Sequence, residues 1–145
     1  MATKTQNFEN HAKTVPAFHF IVIPILVLNI VWSIERVIHQ HTFGTVVSLL
    51  VAIALLLLAF TARISALTVQ DRVIRLEMQL RLQQVLPADL RTRIPEFSVG
   101  QLVSLRFASD AELPDLARKV LDEKLTDRKV IKKLIRDWQP DYLRA

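Results

Sequence analysis

The stretch FGTVVSLLVAIALLLLAFTARISALTVQDRVIRLEMQLRLQQVLP, residues 43–87, decides the fold. After Gly44 it holds neither glycine nor proline until Pro87, so nothing in it signals a helix to stop. From Phe43 to Ala62 it carries no Asp, Glu, Lys or Arg, and from Arg63 onward charges return every few residues. A bilayer core about 30 Å thick takes roughly 20 apolar residues of helix at 1.5 Å each. One helix is therefore predicted from Thr42 to Leu86, roughly 65 Å long, with its first half in lipid and its second half in the cytoplasm.

Upstream lies a second run of the same kind. TVPAFHFIVIPILVLNIVWSI, residues 14–34, is free of those four charged types over 21 positions, and residues 37–62 are free of them over 26. A 145-residue soluble protein has no core deep enough to surround two such helices. The first run is too long for the apolar centre of a secretory signal, and no A-x-A-like site follows it. The expected architecture is an all-α integral membrane hairpin with a cytoplasmic helical module. Its parts are an N-terminal tail (1–14), a first span (15–38), an outer turn (39–41), a second span (42–62), a helix continuous with it (63–86) and a small helical module (87–145).

Basic residues set the orientation. Lys4 and Lys13 precede the first span, Arg36 with Glu35 lies between the spans, and Arg63, Arg72, Arg75 and Arg81 follow the second. Both termini are expected in the cytoplasm, with the turn on the opposite side. The chain has no cysteine, so disulfides, thiolate zinc sites and iron–sulfur clusters are excluded.

The turn SIERVIHQHTF, residues 33–43, brings together Glu35, His39 and His41. Glu35 and His39 share a helix face, whereas His41 is two residues on and points elsewhere. This is the pattern of an interfacial turn rather than of a metal site. A haem between the spans would need a histidine from each at matching depth, which this chain cannot supply. No cofactor is expected. Within the first span His19 and Asn29 are the candidate intramembrane contacts, since polar residues in a span face protein rather than lipid. Asn29 has Ser48 or Thr45 as possible partners on the second span. Pro24 removes one helical hydrogen bond and is a site for a kink.

The helix beyond the second span has two apolar stripes, where an ordinary surface helix has one. Val69, Val73, Leu76 and Leu80 form the first. Ile74, Met78, Leu82 and Val85 form the second, about 150° away at 100° per residue. One stripe is expected to take the module and the other a partner chain, unless the module wraps both. We assign Ile74, Met78, Leu82 and Val85 to the partner.

Downstream, cap signals open three helices. Ser98-x-x-Gln101 opens about Val99–Phe107, Ser109-x-x-Glu112 opens about Ala111–Lys124, and Thr126 opens Asp127–Trp138, which Pro140 ends. Residues 63–145 contain no histidine, no cysteine and one glycine, Gly100. Without a phosphate loop, a nucleophile–histidine pair or an imidazole base, no enzyme is expected. The last helix presents Lys129, Lys132, Lys133 and Arg136 as a candidate basic face. Anionic lipid headgroups or an acidic partner would suit it, and interleaved acids with no aromatic platform argue against nucleic acid.

The segments QDRVIRLEMQLRLQQVLP, RIPEFSVGQLVSLRFASDAELPDLA and KKLIRDWQPD together resemble a family of small bacterial two-span membrane proteins of unknown function. The resemblance implies a bacterial inner-membrane protein with a cytoplasmic tail of set length, and brings no activity or site residue. The expected role is a non-enzymatic accessory or structural subunit of a membrane assembly. Its partners would be other membrane subunits or itself, together with the bilayer. A membrane-tethered docking module using the basic face is the remaining alternative.

Overall fold

A computed structural model describes Phe8 and residues 15–141; the expected tail 1–14 lies outside these apart from Phe8. Every regular element among the described residues is helical. Two compact units divide between Leu67 and Thr68.

The first unit is a helical hairpin. It begins with a π-helical turn, Ala17–Val22, which passes directly into α1, Ile23–Gln40. Pro24 explains the wider turn. It has no N–H to donate, and its ring would strike the carbonyl four residues back in a tight α-turn. The i→i−5 bond from the Ile23 N–H to the Phe18 carbonyl relieves that crowding. At the other end His41 adopts the left-handed conformation (φ 45°) and donates its N–H to the Val37 carbonyl at 3.2 Å, stopping α1. Thr42 starts the next helix, its Oγ1 accepting the Thr45 N–H at 3.2 Å.

That next helix is α2, Phe43–Val85, 43 residues without interruption. Both α1 and α2 are long and apolar enough to cross a membrane. Within the hairpin unit, α1 covers Ile23, Leu26, Ile30, Ser33 and Val37 wholly or partly, and α2 covers Thr45, Leu49, Ala52, Leu56 and Ala59. Both sets step by three and four, the spacing of knobs-into-holes packing between antiparallel helices. Small residues occupy the tightest positions: Ser33, Thr45 and Ala52 are the buried ones. Phe18 meets Phe60 edge-on at 6.2 Å.

The second unit gathers short helices around the end of α2. After Pro87 come α3 (Ala88–Arg91), a 3₁₀ turn (Ile94–Glu96), α4 (Val99–Leu105), α5 (Leu113–Asp122) and α6 (Arg128–Lys133). Pro87 ends α2, and Arg91 Nε donates to the stranded Leu86 carbonyl at 2.6 Å. The box at Ser98 forms reciprocally. Ser98 Oγ accepts the Gln101 N–H at 3.3 Å, and Gln101 Oε1 accepts the Ser98 N–H at 2.7 Å. The same Gln101 donates to the Leu125 carbonyl at 2.9 Å, pinning the α5–α6 loop to α4.

Two helices differ from their sequence expectation. At α5 the Ser109–Glu112 box does not form, because Glu112 accepts the backbone N–H groups of Arg136 (3.1 Å) and Asp137 (3.3 Å) instead. At α6 the cap is Asp127 rather than Thr126, its Oδ1 accepting the Lys129 N–H at 2.7 Å, and the helix ends at Lys133 rather than Trp138. The chain then extends so that Ser109 N–H reaches the Asp137 carbonyl (3.1 Å) and Gln139 N–H the Phe107 carbonyl (2.7 Å). This bridge lays Trp138 flat on Phe107, ring centroids 4.5 Å apart. Bonds across 30 residues have replaced the last helical turn.

Leu82, Leu86, Leu90, Leu102, Leu105, Leu113, Val120 and Ile131 are almost wholly buried in one cluster. Each such side chain contributes roughly 1.5–3 kcal/mol on leaving water. A module of this size is marginal alone, and α2 supplies Ile74, Met78 and Leu82 to its core, with Leu86 just past its end.

Candidate interaction site

Between Thr68 and Val85 α2 has two apolar faces with opposite fates. Ile74 (5% exposed), Met78 (3%) and Leu82 (0%) are buried in the cluster above, with Val85 packed against its edge. The stripe expected to await a partner is therefore occupied by this chain's own short helices, and the assignment of the two stripes is reversed. Val69, Val73, Leu76 and Leu80 lie in the open, between 47% and 63% exposed.

Arg81 decides which face turns inward. Its guanidinium donates to the Ala108 carbonyl (2.6 Å), the Arg106 carbonyl (3.2 Å), Gln139 Oε1 (3.3 Å) and Asp110 Oδ1 (2.7 Å). The α4–α5 loop and the bridged tail are thus hung from one side chain of α2. Nearly three turns away, at about 3.6 residues per turn, Asp71 pairs with Arg128 of α6 at 3.7 Å. Neither residue is among the candidate contacts expected from the sequence. The signal that singles them out is their place beside Ile74, Met78 and Leu82 rather than beside Val73 and Leu76.

Outside α2, ion pairs hold the module's rim. Arg118 donates to Asp89 at 2.7 Å and holds that carboxyl below the usual carboxylate range. Arg93 reaches Asp122 (2.8 Å) and Glu96 (3.2 Å), which bind its proton still more firmly. An open cleft of about 330 Å³ lies between α5 and the tail, lined by Glu112, Asp115, Leu116, Lys119, Leu134 and Arg136.

The remaining candidates are distributed as follows. His19 is exposed, with Nδ1 2.9 Å from the Val15 carbonyl oxygen and 3.3 Å from its nitrogen, so that ring nitrogen serves its own turn. Asn29 is half-buried in the hairpin, but its proposed partners are engaged elsewhere. Thr45 Oγ1 donates to the Thr42 carbonyl (2.7 Å) and Ser48 Oγ to the Gly44 carbonyl (2.9 Å). Glu35 and His39 approach to 3.6 Å on α1, and His41 is spent on the left-handed cap. Of the candidate basic face, Lys129, Lys133 and Arg136 are exposed and Lys132 is half-buried. Lys132 turns in, its Nζ 5.3 Å above the Phe107 ring, and Lys133 lies 5.8 Å above the Phe8 ring. Arg136 is beyond the end of α6, in the segment that leads into the bridge. Lys129 and Lys133 are the exposed helical cations of that set.

The large apolar side chains left exposed lie mainly on the outer surfaces of the hairpin and along one stripe of α2. All 145 residues match the model of a family of unknown function, DUF6526. The chain belongs to that family. No curated protein and no solved structure matches it. Within DUF6526, then, the argument for a role rests on the surfaces described above.

Proposed function

We propose that the protein is a non-enzymatic accessory or structural subunit of a bacterial inner-membrane assembly, with both termini cytoplasmic, acting through helix–helix contacts in the membrane and beside it. The observation that carries this reading is the exposure of large apolar side chains along both long helices. Phe20, Ile25, Leu28, Val31 and Ile38 of the first, and Leu50, Leu57, Leu58 and Ile64 of the second, are each more than half exposed. A soluble core helix would have these inside, and contiguous apolar surface on this scale belongs in lipid or against protein. Basic residues before the first span and after the second favour cytoplasmic termini. Contact is favoured over catalysis because the second unit spends its charged side chains on holding itself together, as Arg81, Arg93 and Glu112 do.

The test is the mass and composition of the particle released from native membranes by mild detergent. Stable association with further subunits supports the accessory role. A lone 16.6 kDa chain, or one released by alkaline carbonate without detergent, overturns it.

A further inference from the structure

We infer that the exposed stripe of α2 is the seam of a parallel, in-register coiled coil with a second copy of this chain. The inference rests on the membrane reading above and names the partner of that surface.

The stripe has the spacing of a seam rather than of a patch. Val69, Val73, Leu76 and Leu80 are separated by four, three and four, and Ala62 and Ala66 continue the same alternation toward the N-terminus. All six are exposed. This is a heptad pattern with Ala66, Val73 and Leu80 at one core position and Ala62, Val69 and Leu76 at the other. It runs out at Gln83, just before Pro87 ends the helix.

The flanking residues identify the occupant. With Val73 and Leu80 at position a, the g positions are Ser65, Arg72 and Gln79, and the e positions are Gln70, Glu77 and Gln84. In a parallel in-register pair each g residue faces the e residue five further along the other helix. Ser65 then meets Gln70, Arg72 meets Glu77, and Gln79 meets Gln84. The one cation falls against the one anion, twice by symmetry, and no like charges meet. An antiparallel pair centred on the same stripe places Arg72 near Gln79 and Glu77 near Gln70, leaving all four charges without a counter-ion. Within the described residues of one chain, Arg72 and Glu77 are exposed and form no ion pair, unlike Asp71 and Arg81, which pair with Arg128 and Asp110 of the chain's own second unit. Two copies inserted in one membrane with the same orientation can meet along this helix only in parallel, so topology and charge select the same arrangement.

The test uses the absence of cysteine from the natural chain. Val73→Cys, Leu76→Cys and Arg75→Cys are made singly in the full-length protein and oxidised in isolated membranes. Parallel pairing predicts dimeric disulfides from Val73→Cys and from Leu76→Cys alone, with at least tenfold less from Arg75→Cys, which lies off the seam. Glu77→Arg in the Leu76→Cys background should lower the dimer yield roughly fivefold at low ionic strength, and adding Arg72→Glu should restore it. Cross-linking only when Val73→Cys and Leu76→Cys chains are mixed would show antiparallel pairing and overturn the inference. Absence of any cross-link, with the chain still in a larger detergent-extracted particle, would give the seam to a different protein. That would sink the second copy and leave the accessory role standing. Absence of both would remove both readings.

Discussion

The two faces of α2 between Thr68 and Val85 are almost equally apolar, yet one is a core and the other is surface. Ile74, Met78 and Leu82 are covered to 5% exposure or less, whereas Val73, Leu76 and Leu80 keep about half of theirs. Apolar content did not choose between them. What differs is the company each face keeps. Arg81 and Asp71 border the covered face and reach the loop before α5 and the start of α6. Arg72 and Glu77 border the open one, make no bond within the described chain, and are arranged to complement a copy of themselves. Hydrophobicity says that a face will be buried; the polar residues beside it say against what.

The comparison is broken most severely at Leu82. Leu82→Ala should destabilise the second unit by about 2–5 kcal/mol, the range for deleting a fully buried leucine side chain and leaving a cavity. Leu80→Ala, the same chemistry on the open face, should cost within about 0.5 kcal/mol in the dispersed chain. Hydrogen exchange across Val99–Leu105 and Leu113–Asp122 in detergent measures both. Equal losses of protection at the two sites would mean that the faces are not distinct.

Arg81→Met is next in size. The methionine keeps much of the stem's packing but leaves the Ala108 and Arg106 carbonyls without their donor. A loss of about 2–3 kcal/mol follows from withdrawing hydrogen bonds to a charged group at half-buried acceptors. Amide exchange should rise first at Ser109 and Gln139, whose backbone bonds are the bridge that Arg81 supports. If exchange rose uniformly across the unit instead, Arg81 would be an ordinary stabiliser with no special hold on the loop.

These contrasts also explain what was legible in the sequence. The uninterrupted α2 was, because a helix without a stop signal is a local property of residues 43–85. So was the Ser98–Gln101 box, which closes within four residues. The Ser109–Glu112 pair has the same local signature and failed, since Glu112 had better-placed donors at Arg136 and Asp137, some 25 residues away. The end of α6 was missed for the same reason: apolar periodicity continues through Val130, Ile131, Leu134 and Ile135, but the bridge to Phe107 and Ser109 outweighs it. The choice of stripe needed knowledge of where Arg81 ends, and no periodicity encodes it.

The rim of the second unit offers the gentlest test, and the one with a defined pH dependence. Asp89 and Arg118 are both well exposed, so their pair is a weak contributor that salt should erode. Its sign is nevertheless fixed. The guanidinium lowers the Asp89 carboxyl in the folded chain relative to the unfolded one. The unfolded chain therefore takes up the proton first as acid is added. The stabilisation is complete above the ordinary carboxylate value of about 4 and is lost as pH falls through the lower folded value. Asp89→Asn keeps the shape of the side chain and removes the titration. At pH 7 and low salt it should be slightly less stable than the natural chain, and on acidification below about pH 4 the difference should shrink toward nothing. A difference that grew on acidification would mean that Asp89 is better bound when protonated, and that its contact with Arg118 does not set its charge.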